Sequence, residues 1–118
     1  RKKRSVPVYG FENIEASYAG MLNMQLERVR TEPIYAEDEG YFHSFKKQFA
    51  DLANEEEQLK KRIIQTGMSD EFVDELINIY QEKLSVLKRL RYEINKMNNR
   101  VRQSTPGIQQ IQPTYINL

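Results

Sequence analysis

Apolar residues recur along this chain with helical rather than alternating spacing. Over residues 41–66, Phe42, Phe45, Phe49, Leu52, Glu56, Leu59, Ile63 and Thr66 follow one another at intervals of three and four. That is an unbroken a/d heptad row, the pattern of a helix with one narrow buried seam. Over residues 70–102 the row continues as Val73, Leu76, Tyr80, Lys83, Leu87, Leu90, Ile94, Met97 and Val101. Gly67 stands where a C′ glycine ends the first of these helices. Ser69, followed by Asp70 and Glu71, reads as the N-cap and acidic first turn of the second.

Two heptad helices joined by a short glycine-containing turn fold back as an antiparallel hairpin. In such a pair facing residues have a constant index sum. A sum of 139 sets Leu59 opposite Tyr80, Leu52 opposite Leu87, Phe49 opposite Leu90 and Phe45 opposite Ile94. It also sets Glu56, the acid of one seam, opposite Lys83, the base of the other. Two readings of that pair stand side by side: long side chains that each snorkel to water, and an ion pair that fixes the register.

A third helix is expected over residues 11–30, where Phe11, Ile14, Tyr18, Met21, Leu22, Leu26 and Val29 share a helical period interrupted by Gly20. Pro33 and Gly40 delimit a connection over residues 31–40. Residues 1–10 and 103–118 contain Pro7, Gly10, Pro106, Gly107 and Pro113 and read as extended tails. The expected fold class is therefore all-α: an antiparallel coiled-coil helical hairpin over 41–102, turning near 67–69, with an additional N-terminal helix and extended terminal tails.

The helix at 70–102 has a wider apolar face than a two-helix seam needs. Phe72, Ile79 and Val86 occupy g positions, and Ile77 and Leu84 occupy e positions, all in the half near the hairpin tip. In the other half the same positions hold residues such as Arg91, Glu93 and Asn98. The tip must be covered by something. The helix at 11–30 is tethered to the open end by its connection, so the pattern favours a protein interface formed by Phe72, Ile77, Ile79, Leu84 and Val86. The alternative is that this helix tilts across the tip and completes a three-helix bundle.

Composition narrows the chemistry. Of 118 residues, 39% are hydrophobic and 30% charged, which suits a thin seam better than a thick core. Cysteine is absent, which excludes disulfides and thiolate chemistry and is compatible with a reducing compartment or a virion. No run approaches the roughly 18 apolar residues of a membrane span. His43 stands alone, and no zinc spacing, glycine-rich phosphate loop or Ser/His/Asp set is present. No enzyme activity, cofactor or metal is expected.

The net charge of +1 rests on Arg1, Lys2, Lys3 and Arg4; without them 14 basic residues face 17 acidic ones. Nucleic acid is not an expected partner, because the basic clusters at Lys60–Arg62 and Lys88–Arg91 fall almost three helical turns apart under the hairpin register. The four-residue basic tail fits phosphate, membrane headgroups, an acidic partner, or a processing or import signal. The run Glu55-Glu56-Glu57 before Lys60-Lys61-Arg62 reads as a solvated face with a Glu57–Lys61 pair. Because the chain does not open on Met, it reads as a fragment, a processed product or part of something longer.

Two short strings carry a further expectation. Glu32-Pro33-Ile34-Tyr35-Ala36 resembles the tyrosine-phosphorylation motif of bacterial effector proteins delivered into host cells. Tyr115-Ile116-Asn117-Leu118 resembles a tyrosine-based sorting or SH2-docking peptide. These resemblances imply an adaptor presenting Tyr35 and Tyr115. Residue by residue, the sequence points instead to a structural subunit that bridges neighbouring proteins, or copies of itself, through a helical hairpin and docking tails. A virion component or a subunit of an organellar or filament-like complex fits that expectation.

Overall fold

The computed structural model describes the backbone of residues 8–35, 39–104 and 112–118, and the side chains of all of these except residues 8–10 and 39. The basic cluster Arg1–Arg4 and the Pro106-Gly107 segment lie outside the described residues. The fold is all-α, with helices α1 (Val8–Thr31), α2 (His43–Thr66) and α3 (Asp70–Ser104) and a 3-10 turn (Glu39–Phe42) leading into α2. Among the described residues there is no strand, and no helix is long and apolar enough to cross a membrane.

α2 and α3 form the expected hairpin. Gly67, at φ 91°, takes the left-handed conformation that favours glycine. Its N–H donates to the Ile63 carbonyl at 2.7 Å and closes the last turn of α2. The Ser69 hydroxyl accepts from the Phe72 N–H at 3.2 Å, which caps α3. The heptad rows meet in the seam: Phe42, Leu59, Val73, Leu76, Tyr80, Leu87, Leu90 and Ile94 are buried in one apolar cluster, with Phe45, Phe49, Ile63 and Met97 packed against it.

α3 is the axis of the molecule. Its 35 residues span about 52 Å at 1.5 Å per residue, within a body of 68 × 22 × 18 Å. α1 and α2 both pack along it. α1 runs parallel to α3: Glu15 meets Tyr80 and Pro33 meets Asn98, each 65 positions apart. The same offset sets Phe11 level with Leu76, in the tip half, and both are buried.

Three expectations are corrected here. The N-terminal helix is longer than residues 11–30: it starts at Val8, so residues 8–10 belong to it rather than to a tail. Met21 does not share the buried face; it is 42% exposed, whereas Phe11, Leu22 and Val29 are buried. Of the expected tail at 103–118, residues 103–104 belong to α3, and residues 112–118 are extended but dock on their own chain. Ile34 and Thr114 exchange two backbone hydrogen bonds of 2.8 Å in an antiparallel bridge. Ile116 is buried, Leu118 packs against the core, and Arg30 donates to the Leu118 carbonyl at 2.9 Å.

Candidate functional site

The apolar tip is covered within the chain. Ile79 and Val86 are 8% and 1% exposed, and Phe72, Ile77 and Leu84 are half-buried and pack against the core. Two arrangements account for this. On the α2 side, Ile79 lines a shallow groove with Leu59, Gln58 and Arg62. Arg62 also lies over the Phe72 ring at 5.4 Å and reaches Glu75 at 3.6 Å. On the other side α1, parallel to α3, extends to the tip. The free apolar area that made Phe72, Ile77, Ile79, Leu84 and Val86 attractive as an interface is thus largely removed by the chain itself, because the parallel placement of α1 brings it to that end.

Glu56 and Lys83 do meet. Lys83 Nζ lies 2.8 Å from Glu56 Oε1, and the two side chains are only 12% and 17% exposed. Lys83 also sits 5.2 Å from the centre of the Phe49 ring, a cation–π contact that accommodates its charge in an apolar layer. The pair is one part of a larger network. Glu56 Oε2 accepts from Lys60 at 2.9 Å, Lys60 approaches Glu15 of α1 at 3.4 Å, and the Tyr80 hydroxyl donates to Glu15 at 2.7 Å. Tyr80 stacks at 5.5 Å on Tyr18, whose hydroxyl accepts from Gln81 at 3.1 Å. Charges alternate along the path Lys83–Glu56–Lys60–Glu15, and all three helices contribute.

The electrostatics follow from this alternation. Burial raises the Glu56 carboxyl, but the hydrogen bonds and charges of Lys83 and Lys60 outweigh it and hold the group below the ordinary 4.5. Burial lowers the Lys60 ammonium, and the hydrogen bonds and charges of Glu56 and Glu15 reverse that and hold it above 10.5. Burial pushes the Tyr80 hydroxyl well above 10.0, reinforced by its bond to Glu15 and the charges of Glu15 and Glu56. Each group is held in the form it has at neutral pH. The arrangement acts as a strut that sets the height of α1 and α2 on α3.

Sequence reasoning found the Glu56–Lys83 pair and missed the rest of the strut. Lys60 looked like part of a solvated run; the i,i+4 pair present is Glu56–Lys60, one residue before the expected Glu57–Lys61. Asn98 was also missed. It is 5% exposed, accepts from the Tyr35 N–H at 3.1 Å and donates to the Pro33 carbonyl at 2.8 Å. Its amide therefore holds the connection after α1 against α3. Its signal was its e position, in line with Ile77 and Leu84. Tyr35 is half-buried there, whereas Tyr115 is 56% exposed beside the buried Ile116. His43, the first residue of α2, is exposed.

A cleft of about 430 Å³ opens beside the strut, between Ala16, Ala19 and Leu26 of α1 and Glu56 and Lys60 of α2. A second, shallower hollow on α2, lined by Ala53, Glu57, Lys61 and Ile64, shares Glu56 and Lys60 with it and so adjoins it. Among the described residues, no three His, Asp or Glu side chains are grouped to hold a metal ion. Comparison of the chain with protein-family models, curated proteins and solved structures gives no match.

Proposed function

We propose that this chain is a non-enzymatic structural subunit that bridges neighbouring proteins in a larger complex, of virion, organellar or filament-like kind. The observation that carries the reading is the pairing of a braced rod with apolar side chains left on its sides. The rod is 68 Å long, and its inner charges neutralise one another across three helices. On its surface Ile64 is 83% exposed, Tyr92 64% and Met24 51%. Such a body transmits position between partners, and its exposed apolar groups offer contact area. Native purification of the tagged chain from its source, followed by crosslinking mass spectrometry, tests this. The reading expects a complex of fixed stoichiometry with crosslinks distributed along the rod. Recovery of the chain alone, as a free monomer, would count against it.

An adaptor function through tyrosine peptides is favoured by one observation, the exposure of Tyr115. In that reading Tyr115 is the accessible site. Tyr35, half-buried with its N–H bound to Asn98, becomes available only if the connection is released. Treatment with a tyrosine kinase, followed by peptide mapping, separates the two positions.

A further inference from the structure

We propose that a second copy of this chain packs on the outer face of α1 and α2, in the stretch between residues 12–20 and 53–64. The inference rests on the assembly reading above and gives it a partner.

Charge is the first argument. Glu12 and Glu15 stand on α1, Lys60 and Lys61 on α2, and all four are at the same height on the rod. Within one chain Lys60 already lies 3.4 Å from Glu15, and α1 and α2 run in opposite directions. A two-fold axis parallel to the rod therefore sets α1 of one copy against α2 of the other, antiparallel and at unchanged height. Glu12 of each copy then meets Lys61 of the other. The complementarity is limited to the tip half. Toward the open end Arg28 and Lys47 share a height, and the same operation sets like charges together there.

Shape is the second argument. The walls of the cleft and the adjoining hollow are small where a second helix would approach, at Ala16, Ala19 and Ala53. Gly20 lies four residues after Ala16 on the same face of α1. Helix-interior glycine costs about 1 kcal/mol relative to alanine. Among the described residues nothing calls for it, because a Cβ at Gly20 would meet no atom within 4 Å beyond its own stretch of helix. A close approach by another helix supplies the missing reason. Ile64, 83% exposed at the edge of this face, gains cover from the same contact.

Sedimentation equilibrium of the full 118-residue chain tests the proposal. A reversible dimer is expected. Glu12→Lys and Lys61→Glu, both at exposed positions, should each weaken it by about tenfold, since a two-fold interface counts every change twice. The two together should restore it to within a few-fold. Gly20→Leu should weaken the dimer while leaving the chain at least as helical by circular dichroism. A chain that stays monomeric, or a double charge reversal that fails to restore the dimer, overturns the proposal. A monomer that still co-purifies in fixed ratio with a different protein removes this interface and keeps the assembly function.

Discussion

Lys83 of α3 and Glu56 of α2 form a 2.8 Å ion pair inside the seam of the hairpin, and Glu56 alone of the two has a second charged partner, Lys60 at 2.9 Å. The asymmetry has an energetic consequence. Glu56→Leu leaves Lys83 with only the Phe49 ring, whereas Lys83→Met leaves Glu56 still bound to Lys60. We expect Glu56→Leu to cost about 2 kcal/mol and Lys83→Met about 1 kcal/mol, below the range for fully buried pairs because both heads retain some water. The double substitution extends the apolar seam and should approach wild-type stability. Urea denaturation of the four proteins measures the coupling. A value near zero would mean that the two heads reach water independently.

Stability should depend on pH at both ends of the scale. The Glu56 carboxyl is held below its ordinary 4.5, so its contribution is present above that value and is lost as pH falls through the lower folded-state value. The Lys60 ammonium is held above 10.5 and the Tyr80 hydroxyl above 10.0. Their contributions are present below those values and are lost as pH rises beyond them. Thermal melts across pH should give a plateau between, and Glu56→Gln should flatten the acid limb. An acid limb identical in Glu56→Gln would assign the loss to other carboxyls.

Asn98 controls the end of the rod opposite the tip. Asn98→Ala removes both the acceptor for the Tyr35 N–H and the donor to the Pro33 carbonyl. Leaving these backbone groups without a protein partner should cost about 2 kcal/mol. The Ile34–Thr114 bridge is continuous with this connection, so amide exchange at Ile34, Tyr35 and Thr114 should accelerate. Exchange in the middle of α3 should change much less. Uniform acceleration along the whole chain would show instead that the connection and the hairpin unfold as one unit.

Ile79 distinguishes a covered tip from an open one. At 8% exposure a carboxylate there has little water, and Arg62, which lines the same groove, is already engaged by Glu75 at 3.6 Å. Ile79→Glu should lower the melting temperature by about 10 °C or more, given a cost of about 3 kcal/mol in a domain of this size. An unchanged melt would mean that the tip is open in the isolated chain and awaits a partner.

The hairpin was legible because heptad spacing, a C′ glycine and an N-cap serine are local signals that agree with one another. The constant index sum then carried that agreement across the turn to Glu56 and Lys83. The placement of α1 was not legible, for a physical reason. Its period does not say which side of α3 it occupies, and its true start at Val8 lies where Gly10 and the preceding Pro7 suggested a tail. With the 65-position offset to α3, Phe11, already inside the expected helix, stands level with Leu76 in the tip half, so it is the parallel placement rather than the added length that covers the tip. Asn98 escaped notice because a polar residue at an e position reads as solvated until the connection is folded onto it. The docking of residues 112–118 depends on one bridge and on Ile116, and neither carries a periodic signal.

α1 lies parallel to α3 and covers the tip. The chain has no cysteine, so introduced pairs report without background. Tyr18 and Gln81 touch through a 3.1 Å hydrogen bond, and Tyr18→Cys with Gln81→Cys should join within one chain under a short bis-maleimide. The pair Tyr18→Cys with Lys96→Cys, farther along α3, should not. Efficient joining of Tyr18 to Lys96, or links formed only between chains, would contradict the parallel placement of α1.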